Sequence, residues 1–270
     1  MEAELQVLWA AIVAYVLSGV IAIFGVALGR HRERIVLGLI VLGLTLQTVS
    51  LGMRWSRIGH GPFITLFEIL NSNVWSLMLV FAIAYWRIPK LRPSAAVVMP
   101  VMFVLMGWLM LAHPGEGHFP PTYRTPWLYI HIGMAKVFLG ATLVALGIAG
   151  IVLLRRFGVG IRRFANLPDD SRLDELAYRF MALALVFDTL MLITGAIWAQ
   201  DAWGRYWAWD PLETWSFITW LLLAFAIHMR LTFRPHPVRN AWMIVAVFVL
   251  AFLTFFGVPF VSESAHKGAV

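Results

Sequence analysis

The feature that most constrains this chain is a series of apolar runs, each long enough to cross the hydrocarbon core of a bilayer. They occur at about 5–29, 35–53, 64–86, 94–112, 127–154, 176–199, 212–229 and 241–261. A chain that crosses lipid must satisfy its own backbone hydrogen bonds, and these runs lack the period of two that a barrel strand needs. The sequence therefore predicts an all-α polytopic membrane protein, a bundle of eight transmembrane helices.

Composition supports this prediction and excludes other classes of protein. Of the 270 residues, 61% are hydrophobic and 13% are charged, whereas a soluble domain is about one quarter charged. The longest loop, at about 155–175, is too short for an inserted soluble domain, so 1–270 is predicted to be a single transmembrane domain. The sequence contains no cysteine, which excludes disulfides and a nucleophilic sulfur of its own.

The lysines and arginines of the loops predict the orientation of the bundle. Alternate loops fall into two sets, which hold fourteen and five of these residues. Because the richer set marks the cytoplasmic side, both termini are predicted to lie outside (N-out and C-out). The net charge of +7 is thus explained by basic loops beside a lipid bilayer, which is the predicted partner. No nucleic acid is expected. The predicted outward side collects five of the eight histidines: His60, His113, His118, His131 and His266.

The segment 203–215, which we call the tryptophan loop, reads WGRYWAWDPLETW. It connects the sixth and seventh predicted helices on the outward side, and about 198–220 holds six of the thirteen tryptophans. An aromatic belt at the membrane interface places one or two rings at a helix end, not four in one loop. If the loop is helical, Trp203, Tyr206 and Trp207 share one face and present a flat platform to a large planar ligand.

Asp210, Pro211 and Glu213 carry the start signal of the seventh helix. Asp suits the N-cap, Pro suits the first helical position, and Glu three residues after the cap completes a capping box. This structural role explains Asp210 without a ligand, and it leaves room for a second role.

Lys136 and Asp188 are charged residues deep within the fifth and sixth predicted helices. At ~1.5 Å per residue their depths differ by only about 3 Å, and a lone charge in a membrane is costly. Glycines at 133, 140 and 147 give helix 5 a face for close approach to helix 6. The sequence predicts an intramembrane ion pair, direct or bridged by water; the alternative is that each residue points separately into a polar cavity.

The run WGRYWAWDPLETWSFITW resembles the tryptophan-rich "WWD" signature of the haem-handling proteins of cytochrome c assembly. It is most similar to the CcsA/ResC type of system II, and the resemblance is strong over about 172–230. Two departures stand out: Leu212 replaces the usual Lys of the motif, and 67–70 reads Phe-Glu-Ile-Leu where the family has Tyr-Glu-Ser.

The resemblance implies a set of haem-binding residues. It implies that His131 and His266 ligate the iron of one non-covalent haem b from opposite faces, above the rings of Trp203, Trp207 and Trp209. It further implies that His228 belongs to a second haem position, whose other axial ligand comes from another polypeptide. Arg205 is a candidate partner for a haem propionate, Glu68 is a candidate supporting group, and Asp210 of the motif completes the predicted cofactor-binding set.

The function implied by the resemblance is to present haem b for thioether attachment to an apocytochrome c that carries Cys-x-x-Cys-His. The chain would be a membrane subunit of a cytochrome c haem lyase in a bacterial cytoplasmic (inner) membrane, with the haem site facing outside and a CcsB/ResB-type protein as partner. The resemblance assigns no catalytic residue. Two alternatives stay open: a b-type cytochrome that passes electrons, which needs two bis-histidine haems within the spans, and a haem-free scaffold subunit.

Overall fold

The computed structural model describes residues 1–30, 32–158, 164 and 167–261. Of residues 260 and 261 it describes the backbone alone. Eight long helices dominate these residues, and all eight are apolar and long enough to cross a membrane, the fourth of them together with the 3-10 turn that precedes it, as Pro89–Leu111. They are α1 (Glu2–Leu28), α2 (Glu33–Ile58), α3 (Leu66–Arg87), α4 (Ala95–Leu111), α5 (Pro126–Arg156), α6 (Asp170–Trp203), α7 (Pro211–Phe233) and α8 (Pro237–Phe256). A short α9 (Val258–Val261) and two 3-10 turns, Pro89–Ser94 and Pro121–Tyr123, complete the described chain. The prediction of an eight-helix membrane bundle is confirmed, and its orientation stays a prediction.

Local signals in the sequence set the helix boundaries. Thr65 and Asp210 each accept a hydrogen bond from the backbone N–H three residues later, and Glu68 and Glu213 complete the two capping boxes. α6 ends where Gly204 adopts the left-handed conformation with φ of 72°, which glycine enters without steric cost. The start signal predicted for the seventh helix at Asp210 is therefore confirmed.

α5 is the central helix of the bundle. Its membrane-spanning window is 83% buried, whereas those of α6 and α7 are 28% and 17% buried. α5 packs against α3, α4, α6 and α8. A side chain near the start of α5 therefore has a fixed position relative to most of the bundle.

The glycines of α5 do not form the predicted contact face toward α6. A Cβ at Gly140 would lie 2.6 Å from Val80 of α3, and one at Gly147 would lie 2.7 Å from Val98 of α4, whereas one at Gly133 would have nothing within 4 Å. The prediction is wrong because α5 is surrounded by neighbours and uses its small residues against α3 and α4.

A buried charge cluster joins three helices at the end of the bundle that carries the tryptophan loop, here called the loop end. The Arg54 guanidinium donates to the carboxylates of Glu4 at 2.8 Å and Glu68 at 2.9 Å, and to the carbonyl oxygens of Pro114 and Gly115. Its side chain is 1% exposed. The second span was predicted to stop at 53, so Arg54 was expected in a loop; instead α2 continues through the position, and the cluster ties α1, α2 and α3 to the loop after α4.

Candidate functional site

A cavity lies among α3, α5, α6, the start of α7 and the end of α8 with α9, at the loop end. Its volume is about 240 Å³, which rises to about 1190 Å³ when the open cleft that leads to it is included. Apolar side chains supply most of the wall, and His131, Lys136, Tyr206 and Glu213 are the ionisable side chains among the described lining residues. A concave apolar site with a few convergent polar groups is typical of a small-molecule or cofactor site.

His131 lies in the wall of this cavity, on the second turn of α5. Its Nδ1 atom is 2.9 Å from the backbone carbonyl oxygen of Met191. Its ring stacks on Trp198 with the centroids 5.9 Å apart and the planes at 22°. Gly195 makes the approach of α6 possible, because a Cβ there would lie 2.8 Å from His131 Nδ1. The histidine predicted from the sequence is therefore in the cavity, with its ring held by α6.

The tryptophan loop is not helical. α6 stops at Trp203, the described residues between α6 and α7 have no regular secondary structure, and Trp209 has a positive φ of 59°. The prediction that Trp203, Tyr206 and Trp207 share one helical face is therefore wrong, because the left-handed Gly204 ends the helix before the face forms.

The rings of the loop do not form a single platform. Trp207 lines the cavity, and its ring meets that of Trp209 edge to face with the centroids 5.6 Å apart. Trp209 is 67% exposed. Trp203 packs instead on Trp198, with the centroids 4.9 Å apart, in a small apolar cluster that includes Tyr123. Burial in this cluster raises the pKa of the Tyr123 phenol, so that side chain stays neutral.

Glu213 belongs both to the helix cap and to the cavity wall. Its carboxylate accepts hydrogen bonds from the backbone N–H groups of Ala208 at 2.7 Å and Asp210 at 3.3 Å. Leu212, which departs from the family motif, lines the same wall. The cap of α7 thus fixes the path of the tryptophan loop over the cavity.

The other predicted ligands lie elsewhere. His228 is exposed toward the opposite end of α7, where its Nδ1 lies 3.5 Å from Thr232 Oγ1. Arg205 is exposed and is not among the lining residues of the cavity. Glu68 belongs to the charge cluster around Arg54. His266 lies outside the described residues.

Lys136 and Asp188 do not form the predicted ion pair. The ammonium of Lys136 donates to Ser72 Oγ at 3.0 Å and Asn73 Oδ1 at 3.5 Å. Asp188 is fully buried, and neither of its carboxylate oxygens has a hydrogen-bond partner among the described residues. The depths were similar, but depth does not determine the direction in which a side chain leaves its helix. The alternative was that each residue points separately into a polar cavity. Lys136 lines the cavity, whereas Asp188 is not among its lining residues.

The sequence analysis did not assign Ser72, Asn73 or Gly195 to the site. Their signal was weak: small polar residues and glycines are frequent in membrane helices. The two polar residues lie on α3, about two turns after its capped start, and only the packing of α3 on α5 brings them to Lys136.

Comparison with known proteins relates this arrangement to one family. The family described as "Cytochrome C assembly protein" matches residues 63–266. "Cytochrome c biogenesis protein CcsA" of Synechococcus sp. (strain RCC307) is 30% identical over 264 residues, which cover 87% of this chain and 85% of the relative. The protein of that description from Guillardia theta is 29% identical over 254 residues, which cover 85% and 84%.

Among solved structures, "Cytochrome c Heme Lyase CcmF" has a similar fold. It superposes with a TM-score of 0.75 on 98% of this chain, at 18% sequence identity. This chain spans 47% of the length of that protein. At this identity the likeness concerns the fold alone.

Proposed function

This chain belongs to the cytochrome c assembly protein family and is of the CcsA type, and we propose that it holds haem b in the cavity below its tryptophan loop. From there it presents the haem for covalent attachment to apocytochrome c. His131 would hold the haem iron from α5.

The contact between His131 and Met191 is the observation that carries this proposal. A carbonyl oxygen only accepts hydrogen bonds, so the 2.9 Å contact places the proton on Nδ1. In the neutral imidazole the lone pair then belongs to Nε2, the atom that ligates a metal. Metal-binding histidines usually donate their other N–H to a carbonyl or carboxylate in this way, which fixes both the tautomer and the ring orientation.

The rest of the cavity also fits a haem. The wall is mostly apolar and includes Trp207, whose indole Nε1 is buried without a hydrogen-bond partner among the described residues. A bound ligand with an acceptor group would satisfy that donor. The cavity is open on one side, as required if a second protein must reach one edge of the ligand.

The residues of this chain would bind the haem, orient it and shield it. His131, with its ring stacked on Trp198, and Trp207 would hold the haem, and the capped start of α7 keeps Trp207 in place. When bound, haem supplies an iron centre and two vinyl groups, across which the thiols of Cys-x-x-Cys add to form thioethers. The chain has no cysteine, so those thiols come from the substrate and their reductant is another protein.

His266 would be the second residue to hold the iron. Pro259 of α9 lines the cavity, and the five residues from the end of α9 at Val261 to His266 can span at most about 18 Å, which would bring His266 within reach of a ligand in the cavity. Trp203, Trp209 and Arg205 then support the ligand from the rim. Asp210 acts through the cap.

The same proposal includes the location of the site, its substrate and its partner. The haem site faces the outside of a bacterial cytoplasmic membrane, the apocytochrome brings Cys-x-x-Cys-His, and a CcsB/ResB-type membrane protein is the partner. His228 marks a second haem position, completed by a ligand from that partner.

A maturation assay tests the proposal. The chain and its partner are expressed with an apocytochrome c reporter in a host that lacks its own maturation proteins, and covalent haem is measured on the denatured reporter. Wild type is expected to mature the reporter, His131→Ala to lose this activity, and the control His60→Ala to retain it. Equal activity of wild type and His131→Ala would overturn the proposal.

A further inference from the structure

The cavity contains a cation that the proposed function has not used. Lys136 follows His131 by five residues on α5, which places it roughly 7 Å further along the helix axis. It is half-buried and lines the same cavity. Its ammonium donates to Ser72 Oγ at 3.0 Å and to Asn73 Oδ1 at 3.5 Å.

The two acceptors are neutral and are themselves held in place. The Ser72 hydroxyl donates to the carbonyl oxygen of Ile69 at 3.2 Å, and the Asn73 amide nitrogen donates to the same oxygen at 2.9 Å. Because their donor atoms are directed to Ile69, both residues present acceptor oxygens to Lys136. The ammonium is thereby held in position without being neutralised.

No carboxylate among the described residues pairs with Lys136. Glu213 is the acidic residue among the described lining residues, and its carboxylate is bonded to the backbone N–H groups of Ala208 and Asp210. An ionisable residue inside a membrane is costly and marks a functional site by default. A cation that is fixed in a ligand cavity and lacks a counter-charge is suited to an anionic group of the ligand.

We infer that Lys136, held by Ser72 and Asn73, binds a propionate carboxylate of the porphyrin whose iron His131 ligates. The inference rests on the proposed function and adds a specificity determinant to it. A charge-assisted hydrogen bond between ammonium and carboxylate is about twice as strong as a neutral one. Arg205, the candidate from the sequence, is exposed and does not line the cavity, so it is the less suitable partner.

This contact orients the ligand. The propionates and the vinyl groups lie on opposite edges of the porphyrin of haem b. A propionate held by Lys136, which lies deeper in the bundle than His131, turns the vinyl edge toward the tryptophan loop. That is the edge that the substrate thiols must reach.

Titration of the purified full-length protein with two ligands tests the inference. The probes are iron protoporphyrin IX and its dimethyl ester, which lacks the two negative charges, and the readout is the dissociation constant from the absorption spectrum. Wild type is expected to bind the acid about tenfold more tightly than the ester, equivalent to ~1.4 kcal/mol. Lys136→Met is expected to lose this preference and to keep the wild-type affinity for the ester.

Two further variants complete the design. Lys136→Arg retains the charge and is expected to keep the preference, and the matched control Lys90→Met, at an exposed position in the turn before α4, is expected to behave as wild type. Unchanged affinity for the ester shows that the cavity of Lys136→Met is intact.

The outcomes separate the inference from the proposed function. If wild type binds acid and ester equally well, or if Lys136→Met keeps the wild-type preference, Lys136 does not bind a propionate while the haem site stands. If wild type binds neither ligand, the proposed function itself is overturned. If Lys136→Met does not fold, equal binding of acid and ester by wild type still overturns the inference, and Lys136→Arg still tests the position.

Discussion

His131 Nδ1 lies 2.9 Å from the carbonyl oxygen of Met191, so the backbone of α6 fixes the imidazole of α5. The contact joins the central helix of the bundle to the helix that leads into the tryptophan loop. It is made possible by Gly195, one turn along α6, where a Cβ would lie 2.8 Å from the same nitrogen.

Gly195→Ala is predicted to weaken haem binding without unfolding the protein. The added methyl group cannot occupy its site unless the His131 ring moves, and a displaced ring no longer directs Nε2 at the iron. Haem content after purification measures the effect. Gly133→Ala is the matched control, because a Cβ there meets nothing within 4 Å; equal haem content in the two variants would show that the ring is not held as described.

The two tryptophans of the loop that contact each other are predicted to differ in their effect on haem affinity. Trp207 lines the cavity and Trp209 is 67% exposed. Loss of a buried ring costs about 2 kcal/mol, or roughly 30-fold in affinity, so Trp207→Ala is expected to lose far more than Trp209→Ala in a haem titration. A larger loss from Trp209→Ala would indicate that the exposed ring, not the cavity wall, contacts the ligand.

The features that could be predicted from the sequence are those determined by residues close together in the chain. Eight spans follow from the length of the apolar runs, and the cap of α7 follows from Asp210, Pro211 and Glu213 at fixed spacing. His131 was identified through the resemblance of the tryptophan-rich run to the cytochrome c assembly family. These signals need only a few consecutive residues.

What was not predictable depends on how helices are rotated against one another. The depths of Lys136 and Asp188 were derived correctly from their helices, but the side chain of Lys136 points to α3 rather than to Asp188. Similarly, the helical interpretation of the tryptophan loop failed because α6 ends at the left-handed Gly204, and the loop beyond it has a second positive φ, of 59°, at Trp209. A positive φ is uncommon for a bulky residue and has no signal in the sequence.

Arg54→Met is predicted to destabilise the bundle by about 3–5 kcal/mol, because it leaves Glu68 as a buried charge without an ion-pair partner and leaves Glu4 paired with Arg57 alone. Thermal unfolding in detergent measures the loss. A variant that also carries Glu4→Gln and Glu68→Gln removes the stranded charges and is expected to recover part of the stability. If the triple variant is no more stable than Arg54→Met, the cluster does not act as a set of paired charges.

Asp188→Leu is predicted to raise the stability by at least about 1 kcal/mol, since it removes a buried polar group that has no partner among the described residues. Its effect and that of Lys136→Met are expected to add within about 0.5 kcal/mol, as for residues without a direct contact. Denaturation of the two single variants and the double variant measures the coupling. A coupling well above that limit would indicate that the two charges interact after all.

The absorption spectrum of the purified full-length protein tests the central claim, that His131 ligates haem iron in the cavity below the tryptophan loop. Wild type is predicted to show a low-spin bis-histidine spectrum, His131→Ala and His266→Ala to lose it, and free imidazole to restore it in His131→Ala by occupying the vacated position. His60→Ala, whose ring stacks on Phe119 outside the cavity, is predicted to keep the wild-type spectrum. A wild-type spectrum in His131→Ala, or its equal loss in His60→Ala, would contradict the claim.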